Sequence, residues 1–453
     1  MEFAGCNFDF SQGGGFSIIA PPPPLSALVY FIETLTNSSG SSVNNAICYD
    51  TLGNLYTIGY SPVSGGATQK ALIVKYDSSG TVQWQRILGS ASNEYGKGIA
   101  VDTSGNVYIC GISTDTSGFS YGFAAKYNSS GTLQWQKRYG VTTGTYQTYF
   151  NSITIDSSGN SYVTGNSNNH PTTATGYTVI VKYDTSGTLQ WQRSLDGSAS
   201  DTANAIGIDS SNNVYVGLYS NGISGSDYYN VVVKYNSSGT LQWQRSLGSS
   251  GISSFIYGIA VDTSGNSHLI YSYGPNGTDM GIAKYNTSGT LQWQRSFGGA
   301  GYEPGHGIAV DGSGNVYGIG YSGAIGSNDF IIVKYDISGT LQWQRNLGVN
   351  TKTDVGYAIA VDSSSQSYAV TGYANNGTNP TVLIAKFPTD GTKTGTYTVG
   401  SDSFVYATTS LTSSTTTMTS AASSLTDATP SLADATSSLT STASSLTAAI
   451  AVL

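Results

Sequence analysis

Between residues 28 and 400, short apolar runs alternate with small clusters of Gly, Asn, Asp and Ser. Near residue 100 the runs read GIAVD, VYICG, GFAAKY and TLQWQKRY. Runs of this length, rich in β-branched and aromatic residues and bounded by turn formers, predict β-strands. The connectors 103–106 (TSGN) and 128–131 (NSSG) predict tight hairpin turns. Asn and Asp bond locally to the backbone there, and Gly takes positive φ without steric cost.

The pattern repeats. Trp84, Trp135, Trp191, Trp243, Trp293 and Trp343 all fall in one phrase, of the form KYNSSGTLQWQRSLG, at spacings of 51, 56, 52, 50 and 50. A second phrase, GIAVDTSGNVY, recurs in phase with it, its aspartates being Asp50, Asp102, Asp156, Asp209, Asp262, Asp311 and Asp362. Seven units of about 50 residues, each with four antiparallel strands, predict an all-β, seven-bladed β-propeller. The seventh unit keeps Lys386-Phe387 but then runs PTDGTKTGTYTVG, with no Trp-Gln-Arg. LVYFIETL at 28–35 supplies the missing strand. Phe31 aligns with Trp243 and Glu33 with Arg245, and both Phe31 to Asp50 and Trp243 to Asp262 are 19 residues. An N-terminal strand that closes the ring leaves no open sheet edge between first and last blades.

These residues resemble the bacterial β-propeller repeat family of AVDxSGNVYVTG…KYDSSGTLQWxRxLG type, over about residues 28–400. The resemblance implies a propeller and no particular activity.

Within each phrase the Trp and the Arg two positions on share a strand face. The reading is structural: Trp84, Trp135, Trp191, Trp243, Trp293, Trp343 and Phe31 build the frame, with Arg or Lys stems on the rings. A circle of identical ligand sites is the rival reading. The Asp-Thr-Ser-Gly-Asn turns lack the further acidic ligands of a calcium loop, and no His/Cys set has metal spacing, so no cofactor or metal is expected. Cys6, Cys48 and Cys110 give no disulfide framework.

The phrases agree where strands one and two, and three and four, are joined. They disagree at the connections from two to three and from four to the next unit, which a propeller gathers on its opposite face. Loops on a rigid scaffold are the usual place for recognition. Their Tyr, Ser, Gly and Asn content resembles antibody paratopes. The candidate ligand-binding residues are therefore Tyr95, Tyr146, Tyr149, Tyr177, Tyr228, Tyr229, Tyr273, Tyr302 and His306. Catalysis has little support. His268 stands where other units have Tyr, and Glu303 with His306 forms the lone acid–His cluster, so no catalytic residue is assigned.

Composition narrows the field. Charged residues are 10% of the chain and the net charge is −8. Thirteen of the 18 basic residues sit at repeat positions, spread round the ring. Nucleic-acid binding is not expected. No run is long and apolar enough to span a membrane, and MEFAGCNFDFSQGGGFSIIAPPPP does not read as a secretory signal. Residues 1–27 are a Gly/Pro-rich docking or linker segment, 28–400 the propeller, and 401–453 a Ser/Thr/Ala-rich tail. In that tail Phe404, Leu411, Met418, Leu425, Leu432, Leu439, Leu446 and Leu453 are seven apart, with Ala421, Ala428 and Ala435 three further on from their neighbours. The spacing predicts a heptad helix or coiled coil that self-associates, against an extended disordered linker.

A rigid ring, variable loops and attachment tails suit a virion surface protein of a bacteriophage: a tail fibre, spike or capsid decoration that recognises a host-surface glycan. Its tails would engage other virion proteins, and residues 401–453 would form a homo-oligomer. A bacterial cell-surface or extracellular adhesin and a non-binding structural virion spacer are the alternatives.

Overall fold

In a computed structural model the chain forms seven antiparallel sheets, each one blade of a closed propeller. The structure describes residues 29–452 apart from 37–39, 63–67, 141–146, 169–175, 197–199, 222–226, 275–278, 300, 324–327, 350–351, 376–379, 400, 410, 415–417, 423–425, 429–432, 437–439 and 444–446. Blades 1 to 6 span 43–89, 94–140, 148–196, 201–248, 255–298 and 305–348, four strands each. Blade 7 takes three strands from 354–388 and its fourth from Phe31–Thr36. Adjacent innermost strands touch all the way round, the last against the first. Phe31 pairs with Lys386 and Glu33 with Ile384, the register Trp84 and Arg86 keep with Lys75 and Ile73. The N-terminal strand thus fills the place of the missing Trp-Gln-Arg strand.

The repeated phrases do two mechanical jobs. The first is local. Asp156 Oδ1 accepts from the backbone N–H groups of Ser158 and Asn160, and Oδ2 accepts from Asn160 Nδ2 and, at 3.0 Å, from the Tyr162 hydroxyl. This saturates a buried carboxylate and fixes the first hairpin. In blade 5 His268 takes the Tyr role, with Nε2 3.2 Å from Asp262 Oδ2. The second job joins blades. Trp243 Nε1 donates to Thr287 O at 3.0 Å, and Arg245 Nε donates to Gly289 O at 2.9 Å. Both carbonyls belong to the outer turn of the next blade. Gly289 has φ +78, and a Cβ there would lie 2.9 Å from the Trp243 ring. Arg245 stacks on Trp243, while the Lys234 ammonium lies over Tyr215, its other cross-strand neighbour, at 4.8 Å. From blade 7, Lys386 Nζ reaches Ser78 O of blade 1 at 3.0 Å, carrying the latch across the closure.

The hydrophobic clusters sit in the seams between blades. One joins Tyr56, Ile58 and Ile73 of blade 1 to Val107, Ile109 and Phe123 of blade 2. The closing seam differs from the rest. Where other blades hold Arg, or Lys137 in blade 2, it buries Glu33, only 1% exposed. Burial, and then the charge of Asp77, push this carboxyl up to about 8.

The tail is not helical where it is described. Its strands run backward round the outside of the ring, one per blade. Asp402–Ala407 pairs with the outer strand of blade 6, Thr412–Ser414 with blade 5 and Thr419–Ala422 with blade 4. Thr426–Ala428, Ala433–Thr436 and Thr440–Ala443 follow on blades 3, 2 and 1. Thr447–Val452 ends on Phe31–Thr36 of blade 7. Gly395–Val399 forms a hairpin with Asp402–Ala407, so blade 6 has six strands and the others five.

The period of seven is therefore the step from one blade to the next, and the expected heptad helix is replaced by an extended belt. Phe404, Leu411 and Met418 are buried in three successive seams, Met418 beside Leu247 of blade 4 and Tyr271 of blade 5. Ala421, Ala428 and Ala435 lie in belt strands. Leu425, Leu432, Leu439, Leu446 and Leu453 lie outside the described residues. A run of Ser and Thr, middling in a helix, gains backbone partners along the exposed outer edges of seven sheets.

Candidate functional site

Every innermost strand carries a β-bulge near the variable face, and each bulge leaves one residue unpaired with the second strand. The seven are Asn45, Lys97, Asn151, Asn204, Tyr257, His306 and Tyr357. Bulges re-aim side chains at sheet edges and next to sites. Here they form a half-buried ring at the mouth of the central channel. Three asparagines fasten it: Asn45, Asn151 and Asn204 donate to the main-chain carbonyls of Gly96, Ala203 and Ile256 in the following blades, at 2.7, 2.8 and 2.9 Å.

The ring has two unlike arcs. Blades 1 to 4 contribute Asn45, Lys97, Asn151 and Asn204. Blades 5 to 7 contribute Tyr257, His306 and Tyr357, with ring centroids 4.9 Å apart from Tyr257 to His306 and 5.4 Å from His306 to Tyr357. Further aromatics extend that side. Tyr321 stacks on His306 at 5.5 Å, Tyr302 meets Tyr321, and Tyr373 meets Tyr357. Tyr219, Tyr228 and Phe255 make a triad across blades 4 and 5, and Tyr60 meets Tyr95 across blades 1 and 2 at 5.1 Å. The result is an aromatic crescent running from blade 4 round to blade 2.

Charge is scarce here. Burial holds His306 down at about 4, so it is neutral at pH 7, and its Nε2 has no hydrogen-bond partner among the described residues. Glu303 does not serve it: Oε1 accepts from Ser322 Oγ at 2.9 Å and Oε2 from the Gly299 N–H at 3.1 Å. That carboxylate braces the loops. Lys97 is half-buried, and burial lowers its pKa.

Of the residues singled out in the sequence, Tyr95, Tyr228, Tyr302 and His306 belong to the crescent. Tyr302 is its most open member, at 44% exposed. Tyr149 is half-buried on the first strand of blade 3, beside Asn166. Tyr229 lies against Gly248, and Tyr273 against the seam cluster of blades 4 and 5. Tyr177 is not displayed: it is buried in the core with Tyr139 and Phe150, because it begins the third strand of blade 3 rather than lying in a loop. Tyr146 lies outside the described residues. Of the seven ring residues, sequence reasoning found His306 and missed Asn45, Lys97, Asn151, Asn204, Tyr257 and Tyr357. The signal was present: the residue five before each repeat aspartate varies among Asn, Lys, Tyr and His, while the two after it are always a small residue and Ile.

At the other end of the channel a cavity of about 380 Å³ opens between the constant turns. Ile47, Val101, Val310 and Ile359 line it, with Asp50 and Asp102 alongside. Among the described residues no group of three or more His, Cys, Asp or Glu is placed to hold a metal ion, and no helix is long and apolar enough to cross a membrane.

Residues 83–119 and 134–171 match the Beta-propeller repeat family, SBBP. The chain is a seven-bladed β-propeller, and the two matched segments fall in its blades 1 to 3. No curated protein matches it. Among solved structures it is similar to a protein of unknown function from Dyadobacter fermentans, with TM-score 0.47 and 9% identity over 78% of this chain and 97% of that one. An ulvan lyase of family PL25 gives TM-score 0.46 and 10% identity over 79% and 96%. YCF48 bound to D1 peptide gives 0.44 and 12% over 78% and 94%. At such identities the likeness is one of shape, and no function passes with it.

Proposed function

We propose that the chain is a surface-recognition protein that holds a polar ligand of the glycan class on its variable face, displayed on a bacteriophage particle. The observation that carries this reading is the aromatic crescent round the channel mouth. Half-buried Tyr rings offer rigid contact area at low entropic cost, with hydroxyl and amide groups beside them for hydrogen bonds. Sugar rings, with apolar C–H faces and hydroxyl edges, are complementary to such a surface. Glu303 is already engaged, so the arrangement supports binding without bond-making chemistry. A charge-poor, hydroxyl-rich chain, belted round its own ring, suits the outside of a particle.

The test is a glycan array and host-cell binding with the wild type and with Tyr257→Ala/Tyr357→Ala. The variant should keep its melting temperature to within a few degrees and lose at least about tenfold in affinity, or 1.4 kcal/mol. Undiminished binding by the folded variant would remove the crescent from the reading. Immunogold labelling of purified particles tests the setting, since unlabelled particles would exclude it.

A further inference from the structure

The channel ring carries one cation where every equivalent position is neutral. Lys97 occupies on blade 2 the bulge that holds Asn on blades 1, 3 and 4, so the fold does not need a charge there. Five basic residues lie outside the repeat positions: Lys70, Lys97, Arg138, Lys352 and Lys393. Four are matched. Lys70 pairs with Glu94 and Lys352 with Asp402. Arg138 lies over the Tyr121 ring and Lys393 over that of Tyr30. Among the described residues Lys97 has neither a carboxylate nor a ring. Its neighbouring ionisable group is Cys110, whose thiol burial holds protonated and neutral.

A half-buried cation without a counter-ion loses hydration and gains nothing inside the fold. Its place in the ring supplies a reason. Counting round seven blades, blade 2 stands opposite the seam between blades 5 and 6, which carry Tyr257 and His306. A ligand seated in the mouth meets the ring's aromatic arc of Tyr257, His306 and Tyr357 on one side and a lone positive charge on the other.

Resting on the glycan reading above, we propose that the channel mouth is specific for an anionic saccharide, whose carboxylate or sulfate is held by Lys97 while its ring lies on the aromatic arc. Lys presents a point charge rather than a planar fork, so either anion satisfies it. With little other charge at the ring, this contact separates acidic from neutral sugars.

The experiment measures binding of the full chain to oligogalacturonate, to a sulfated galactan oligomer and to a neutral galactan oligomer of equal length. It is repeated for Lys97→Asn, which installs the residue of the neighbouring blades, and for Lys97→Glu. The expected result is a preference of about tenfold or more for at least one acidic oligomer, weakened by salt. Lys97→Asn should abolish the preference, bringing the acidic oligomers to within about twofold of the neutral one. Lys97→Glu should fall below Lys97→Asn on the acidic oligomers. Which acidic oligomer prevails identifies the anion. Equal binding of acidic and neutral oligomers, or an acidic preference that survives Lys97→Asn, would overturn the inference and leave the glycan reading standing. Binding to none of the three, with host-cell binding also absent, would overturn both.

Discussion

A single glycine per outer turn decides how closely two blades approach. Gly289 combines positive φ with a Trp ring pressed on its α-carbon, whereas Gly251 has φ +80 and open space, with nothing within 4 Å of where a Cβ would sit. Gly251→Ala isolates the conformational cost, about 1 kcal/mol. Gly289→Ala adds displacement of Trp243 and should cost about 2–3 kcal/mol. Denaturant melts of the two variants check this, and equal losses would mean that the Trp latch is slack. Glu33 makes a second residue-scale prediction. Its carboxyl rises from 4.5 to about 8 on folding. The unfolded chain therefore ionises first as pH rises. The closing seam is most stable below about pH 4.5 and loses stability progressively up to about pH 8. Asp354, raised to about 7 chiefly by burial, adds slope in the same window. Glu33→Gln should flatten part of that slope and gain about 1–3 kcal/mol at pH 8. Thermal melts from pH 5 to 9 measure it, and an unchanged slope would contradict the burial argument.

Strands and turns were legible because the repeat states them seven times. The closing strand was legible too, since Phe31 keeps the spacing of a repeat Trp although the residue types differ. The belt was not. A seven-residue hydrophobic period belongs to two turns of a helix in most chains, and nothing local distinguishes that from a blade-to-blade stride of about 23 Å of extended chain. The bulge ring was missed for a different reason: Lys97 and Tyr257 sit inside strands, where only the bulge, a feature of the pairing between strands, turns the side chain to the mouth. Truncation after residue 400 checks the belt. It removes Phe404, Leu411 and Met418 from their seams and bares the outer edges of the blades. The truncated ring should melt at least several degrees lower and self-associate. Calorimetry and light scattering read both, and an unaltered monomeric melt would show that the belt adds nothing.

Across the whole molecule, constancy and variation are separated in space. One face carries the turns that latch the ring, and the other carries the bulges and the variable loops. The residues that make it a propeller are therefore largely free of the residues that would make it a receptor, and the mouth can change without disturbing the frame. The belt adds a property that neither face has. It crosses the blades in the order 6, 5, 4, 3, 2, 1, 7, held by short antiparallel pairs. Tension applied at its far end would peel one blade's strand at a time, so a pull is spent in seven small, evenly spaced yields before it reaches the ring itself. Tethered by that end, the protein would behave as a graded shock absorber with an undamaged binding face.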